Sequence, residues 1–238
     1  MLNSLFLQCG CLLLVMLAIV INRAAWGDPR LPLLLLGVLG VSLLVGLYVL
    51  VSNVYLAYQH AWAITTLTMI NLALACVPIL LLGAVIVQSQ GVPAIHDITT
   101  DTNNPPLFDY ATKARHVAHN STRYDDKNSV LQKQAYNSIQ PLFFTASPTV
   151  TMAAIKQVIK AEAWQLHGVD EMAGVIEAYD VTALFGFVDD IVIRVSAHKK
   201  GSKVDIRSAS RIGVSDLGAN AKRIQRFSVA LANTLDGR

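Results

Sequence analysis

Residues 189–224 read DDIVIRVSAHKKGSKVDIRSASRIGVSDLGANAKRI, and this stretch decides the fold of the polar part of the chain. Ile191, Ile193 and Val195 alternate with Asp190, Val192 and Arg194, while Val204 and Ile206 alternate with Lys203, Asp205 and Arg207. A period of two sends successive side chains to opposite faces of a strand. With His198 to Gly201 as a four-residue hairpin loop, Val195 falls opposite Val204 and Arg194 opposite Asp205. Apolar residues then share one face and charges the other. Beyond Ser210 the period lengthens: Leu217, Ala221, Ile224, Phe227, Leu231 and Leu235 form one stripe of a helix that starts near Asp216, with Ser215 as its cap.

Toward the N-terminus, Gly174 to Val181 reads as a strand joining Val188–Ala197 and Ser202–Ser210. Ile176 and Ala178 face the same core, which sends Glu177 and Tyr179 out beside Arg194. Ser147 or Thr149 caps a helix running to about Ala163, with Val150, Ala154, Val158 and Ala161 along one stripe. From Gly91 to about Pro148 the chain is rich in Asn, Asp, Thr and Pro and keeps no period, so an irregular layer is expected. Helix, strands with short connections, then helix predict an α+β soluble domain over 89–238, with a small antiparallel sheet and flanking helices.

Ahead of this domain the composition changes. Of 19 Lys and Arg only Arg23 and Arg30 precede residue 88, and of 16 Asp and Glu only Asp28 does. Leu5–Ile21, Leu31–Ser52 and Ile64–Val87 are free of Asp, Glu, Lys, Arg and His over 17, 22 and 24 residues. At a helical rise they measure roughly 25, 33 and 36 Å against a hydrocarbon core of about 30 Å. They predict an α-helical transmembrane anchor of three helices in 1–88 (about 5–21, 31–52 and 64–87). A cleaved signal peptide is the other reading of the first run, but the basic n-region and a nearby small-residue cleavage site are missing. Tyr48, Tyr55, Tyr58 and Trp62 gather around the second connection and Trp26 sits in the first, as headgroup-level rings do. Inside the runs Asn71 reads as a hydrogen-bonding contact between packed helices, and Pro78 as a kink. Pumps and proton relays use ionisable groups inside the bilayer. Their absence from the runs favours an anchor over a transporter.

The polar part retains 17 basic and 15 acidic residues, a balance too mild for a nucleic-acid partner. Cys9, Cys11 and Cys76 all precede it, so it holds neither disulfides nor Cys-ligated zinc. Its best candidate site is a helix start flanked by Gly213 and Gly218, where unpaired N–H groups can receive an anion. Arg207 and Arg211 approach on the strand, with Lys222, Arg223 and Arg226 on the helix. Arg194, Asp205, Arg207, Arg211, Asp216, Asn220 and Arg223 are therefore the candidate ligand-binding residues. The competing expectation is that Asp190, Asp205 and Asp216 neutralise these arginines internally. Similarly, the face bearing Glu177, Arg194, Asp205 and Arg207 reads as a binding surface or as cross-strand pairing on a solvated face. His96, Asp97 and Asp101 form a second motif, an imidazole and two carboxylates. Three or four converging ligands are needed for a metal, and local side-chain bonds that hold turns explain these residues more simply. His116 and His119 add two ligands at most. Ser208, Ser210 and Ser215 lie near His198 in sequence without a nucleophile elbow. No metal, cofactor or catalytic residue is assigned.

HDITTDTNNPPLF at 96–108, QAYNSIQPL at 134–142 and the 189–224 stretch, in this order and spacing, resemble the bacterial and plastid family known as domain of unknown function 1499. The resemblance covers Pro93 to Leu235, and many members carry three hydrophobic segments ahead of the domain. It implies no established activity. Asn137 and Ser138 stand where the family tends to have Pro-Asp, so its tight turn is not carried over. Arg23 and Arg30 in the first connection place the domain in the cytoplasm, whereas the basic residues of many relatives imply the extracytoplasmic side. The reading adopted is a multi-pass protein of the bacterial inner membrane with an extracytoplasmic domain. Its expected role is non-catalytic binding or scaffolding in the envelope, toward an anionic group such as a lipid headgroup or toward an envelope protein. The alternative is a hydrolase, metal-dependent in one version, that uses Asp and His residues of the soluble domain.

Overall fold

The structure, a computed structural model, describes residues 2–24, 30–60, 66–182, 186–199 and 201–237. The chain forms two compact units, one holding Met1–Gln90 and the other Gly91–Thr182 with Phe187–Arg238.

The first unit is three helices, α1 (Leu2–Ala24), α2 (Arg30–His60) and α3 (Thr66–Ser89). α2 packs against both others, and α1 also touches α3. The outer surface is apolar, unlike that of a water-soluble bundle, and Leu35, Val49 and Ala75 are buried inside it. Phe6, Leu44 and Leu80 are about two-thirds exposed, while Gln8, Ser42, Asn53 and Asn71 are buried between the helices. Asn53 Nδ2 donates to the Val49 carbonyl at 2.8 Å. Among the described residues one helix, over Leu34–Leu56, is long and apolar enough to cross a membrane; the apolar runs Leu5–Ile21 and Met69–Leu81 are shorter. The three expected spans are thus supported at the level of one. The first run is short for a bilayer, and the third extends over residues 64 and 65, outside the described residues. Trp26, Asp28 and Trp62 also lie outside them.

The second unit is built on a six-stranded antiparallel sheet. Its elements are β1 (Asp97–Thr99), α4 (Tyr110–Ala114), α5 (Asp126–Ala135), β2 (Leu142–Phe144), α6 (Pro148–Ala161), β3 (Gln165–Asp170), β4 (Val175–Val181), β5 (Val188–His198), β6 (Gly201–Ser210) and α7 (Ala219–Leu235). The path is β1-β6-β5-β4-β3, with β2 also pairing β6. The hairpin register is the expected one: Val195 pairs Val204, Arg194 pairs Asp205, and His198 pairs Gly201. Three strands escaped the sequence reading. β1 and β2 have three residues each, too few for a period to show, and β3 shifts register between Leu166 and Gly168.

α6 and α7 cover one face. Ser147 Oγ accepts from the Val150 N–H and caps α6, with Pro148 in its first turn. The buried stripe of α6 is Met152, Ala154, Ile155, Val158 and Ile159, whereas Val150 is half-exposed, so the expected stripe was rotated. From α7, Ala221, Ile224, Phe227 and Leu231 enter the same core, and Phe227 stacks on Trp164 at 5.8 Å. The sheet contributes Ile176, Ala178, Ile191, Ile193, Val195, Val204 and Ile206.

The opposite face is not solvated. Phe108 and Ala111 pack there on Val192 and Ala209. Glu177, expected to point into water, is 1% exposed. Its carboxylate accepts from the Asp109, Tyr110 and Ala111 N–H groups at 2.6, 3.2 and 2.9 Å, which anchors the start of α4. Aperiodic sequence covers this face, and so sequence periodicity could not reveal the cover.

Candidate functional site

The charged residues that stand out in the sequence divide between the two faces of the sheet, as their alternation requires. On the α4 face Arg207 is fully buried. Its Nε and Nη2 donate to the two carboxylate oxygens of Asp97 at 2.9 and 2.7 Å, and its Nη1 and Nη2 also reach the Pro106 and Thr122 carbonyls. The guanidinium lies near both the Phe108 ring (4.8 Å) and the Tyr124 ring (5.3 Å). Next to this pair, Asp190 receives Arg115 Nε at 2.8 Å and Arg211 Nη2 at 2.7 Å, with His167 Nε2 3.0 Å away. Burial alone pushes the Asp190 carboxyl up, but hydrogen bonds from His167 and Arg211 and the charges of Arg115 and Arg211 prevail and hold it at about 2. His119 is pushed down by burial and by the charges of Arg211 and Arg115.

Further along the same face, Asp205 Oδ2 accepts from Arg194 Nη2 at 2.8 Å and lies 3.2 Å from Lys203 Nζ. Lys203 also donates to Asp101 at 2.8 Å, linking two of the expected residues through a third.

The α7 face carries a second network. Arg223 Nη2 donates to Asp189 at 2.7 Å and to Asp180 at 3.0 Å. Its Nη1 donates to Asn220 Oδ1 at 2.6 Å. Asn220 also joins Ser208 and Ser210. Asp216, expected among the arginines, instead serves the start of α7: its oxygens accept from the Gly218 and Asn220 N–H groups, both at 2.8 Å. Gly218 is the N-cap residue, and Asp216, not Ser215, supplies the side-chain acceptor for the start of α7, so the helix start expected to take an anion already holds a carboxylate of its own chain. Burial raises the Asp216 carboxyl above the ordinary range despite these bonds.

His96, Asp97 and Asp101 do not converge. His96 Nδ1 is 3.4 Å from the Val214 carbonyl, Asp97 faces Arg207, and Asp101 Oδ1 accepts from the Asn103 and Asn104 N–H groups. His119 Nδ1 accepts from the His116 N–H, and His116 Nδ1 from the Ala118 N–H. Among the described residues no three His, Cys, Asp or Glu side chains are grouped to hold a metal.

What the structure does bring together is the first two motifs. Thr100, Asp101, Thr102 and Asn103 face Gln132, Lys133, Tyr136, Ile139, Gln140 and Pro141 across a cleft of about 180 Å³. Gln132 fixes this juxtaposition: its Oε1 accepts from the Thr99 N–H at 3.0 Å and its Nε2 donates to the Thr99 carbonyl at 2.6 Å, as a neighbouring strand would. A turn then forms at Asn137–Ser138 without the family's Pro-Asp, closed by the Ile139 N–H to the Tyr136 carbonyl at 3.0 Å. Burial acts to raise the Asp101 carboxyl, but Lys203 and the Asn104 and Asn103 N–H groups lower it overall, so it is an ionised acceptor at neutral pH. Lys133 is an exposed cation on the other wall. Sequence reading missed Gln132, Lys133, Tyr136 and Gln140 as site residues, although QAYNSIQPL was the signal that contained or adjoined them.

Fold and site together define an α+β domain with an antiparallel sheet and buried ion pairs, preceded in the chain by an apolar helical unit. The family described as "Protein of unknown function (DUF1499)" matches residues 97–231, and the chain belongs to it. Among curated proteins no match to the chain is found.

Proposed function

We propose that this chain is a membrane-anchored, non-catalytic binding protein of the bacterial envelope, and that the Thr100–Pro141 cleft takes a small anionic group. A lipid headgroup or a carboxylate of an envelope protein supplies that chemistry. The carrying observation is the convergence of two separate motifs on one open polar cleft with Lys133 at its wall. Arg207, Arg211 and Arg223, the cations first considered for a ligand, are committed to carboxylates of their own chain. The hydrolase reading, which uses Asp and His residues, draws less support, because His96 lies against the Val214 carbonyl while Asp97 pairs with Arg207 and Asp101 with Lys203.

The reading includes a three-helix, multi-pass anchor in the inner membrane with the domain on the extracytoplasmic side. Support for the anchor comes from the apolar outer surface of α1, α2 and α3 and from the amides of Gln8, Asn53 and Asn71 buried between them. Amide shifts of the full-length chain in uncharged micelles, on titration with short-chain phosphatidylglycerol, test the cleft. Saturable shifts at Thr100–Asn103 and Gln132–Pro141 are expected; shifts confined to other surfaces contradict it.

A further inference from the structure

Gln8 of α1 is 3% exposed, and neither its Nε2 nor its Oε1 has a hydrogen-bond partner among the described residues. A buried amide in that condition is costly in any apolar surrounding. Its side chain lines a small cavity of about 10 Å³ together with Leu12 of α1, Ser42 and Gly46 of α2, and Leu74 and Pro78 of α3. Two features of the other helices bear on this cavity. Pro78 has no N–H, so the Leu74 carbonyl one turn earlier lacks its helical donor. Gly46 lets α2 and α3 meet: a Cβ there would lie 2.8 Å from the Ala75 carbonyl oxygen and 3.2 Å from Pro78 Cγ.

The volume matches one water molecule, and residues from all three helices border it, among them Gln8 from α1, an amide, and Ser42 from α2, a hydroxyl residue. We infer that the cavity is a binding site for a single structural water that accepts from Gln8 Nε2 and donates to the Leu74 carbonyl. The water fastens α1 to α3 and supplies a partner to Gln8 Nε2 and to the Leu74 carbonyl at once. Gln8 and Pro78, each unfavourable alone in an apolar helix, become complementary through it. This inference rests on the three-helix anchor proposed above and deepens it, since α1 then belongs permanently to the bundle.

X-ray hydroxyl-radical footprinting of the full-length chain in nanodiscs tests it, because radicals formed from a bound water oxidise the side chains beside it. Leu12 borders the cavity and Leu13, 66% exposed on the outer surface, is the matched control. The expected result is oxidation of Leu12 about fivefold above Leu13 in the parent chain, falling to the Leu13 level in Gln8→Leu, which removes the polar partner. Equal oxidation of Leu12 and Leu13 in the parent, or unchanged Leu12 oxidation in Gln8→Leu, overturns the water site. The intact mass of the same sample separates the two claims: a chain lacking α1 overturns the three-helix anchor itself, whereas a complete chain without Leu12 labelling overturns the water alone.

Discussion

Asp180 and Asp189 lie directly opposite each other on β4 and β5, and the Arg223 guanidinium from α7 binds both, at 3.0 and 2.7 Å. Like charges at opposed positions of a sheet repel, so the strand pair needs the helix to be stable. Arg223→Ala is expected to cost about 3–5 kcal/mol at neutral pH, the range for leaving buried charge unpaired. Asp180→Asn removes one of the two opposed charges, so adding it to Arg223→Ala should recover part of the loss. Thermal melting of the single and double variants at pH 7 checks this; a double variant no more stable than Arg223→Ala would contradict the role.

Asp190, on the other face of the sheet, links stability to pH. Its carboxyl is held at about 2, below its ordinary 3.8. A depressed acid pKa gives stability that is complete above 3.8 and is lost as pH falls toward 2. The contribution is on the order of 2 kcal/mol. Acid unfolding of the soluble domain, followed by circular dichroism, should be steep in this window for the parent and flatter for Asp190→Asn.

Asp216 caps α7 through two N–H groups while its buried carboxyl is pushed upward. Asp216→Ala removes both acceptors and should cost about 1 kcal/mol, as lost caps do. Asp216→Asn keeps an acceptor and removes the buried charge, so its melting temperature should stay near that of the parent. An Asn variant as unstable as the Ala variant would show that the charge, and not the cap, matters.

Gly168 on β3 lies under the Tyr110 ring, and a Cβ there would come within 2.5–2.7 Å of three ring atoms. Gly168→Ala should destabilise by about 1–3 kcal/mol, as overpacking does. Adding Tyr110→Ala should recover part of this loss, because the clash is with that ring. Urea denaturation of the two single variants and the double variant measures the coupling; strict additivity would rule out the contact.

What the sequence conveyed depended on period. The register of the β5–β6 hairpin was legible because apolar and charged side chains alternate along it and pairing Val195 with Val204 satisfies both strands at once, although the strands run on to His198 and from Gly201, residues expected in the loop. The cover of the opposite face was not, because α4 has five residues and its start is held by Glu177 from a distant strand. Charge patterning alone left open whether Arg207, Arg211 and Arg223 face solvent. Their partners come from two places in the chain, Asp97 on β1 and the adjacent Asp189 and Asp190 on β5, and the strand alternation that sends Asp189 and Asp190 to opposite faces settles which arginine each takes. The cleft was half visible: its motifs were recognised, but their meeting depends on the Gln132 side chain taking the place of a strand beside Thr99.

The binding reading stands or falls on the Lys133 wall of the cleft. Native mass spectrometry of the full-length chain, titrated with phosphatidylglycerol or phosphatidylcholine, compares the parent with Lys133→Glu. The expected result is preference for the anionic lipid in the parent and a loss of about tenfold in its affinity, on the order of 1.4 kcal/mol, in the variant. Equal affinities for both lipids, or an unchanged phosphatidylglycerol affinity in Lys133→Glu, would contradict an anion site in the cleft.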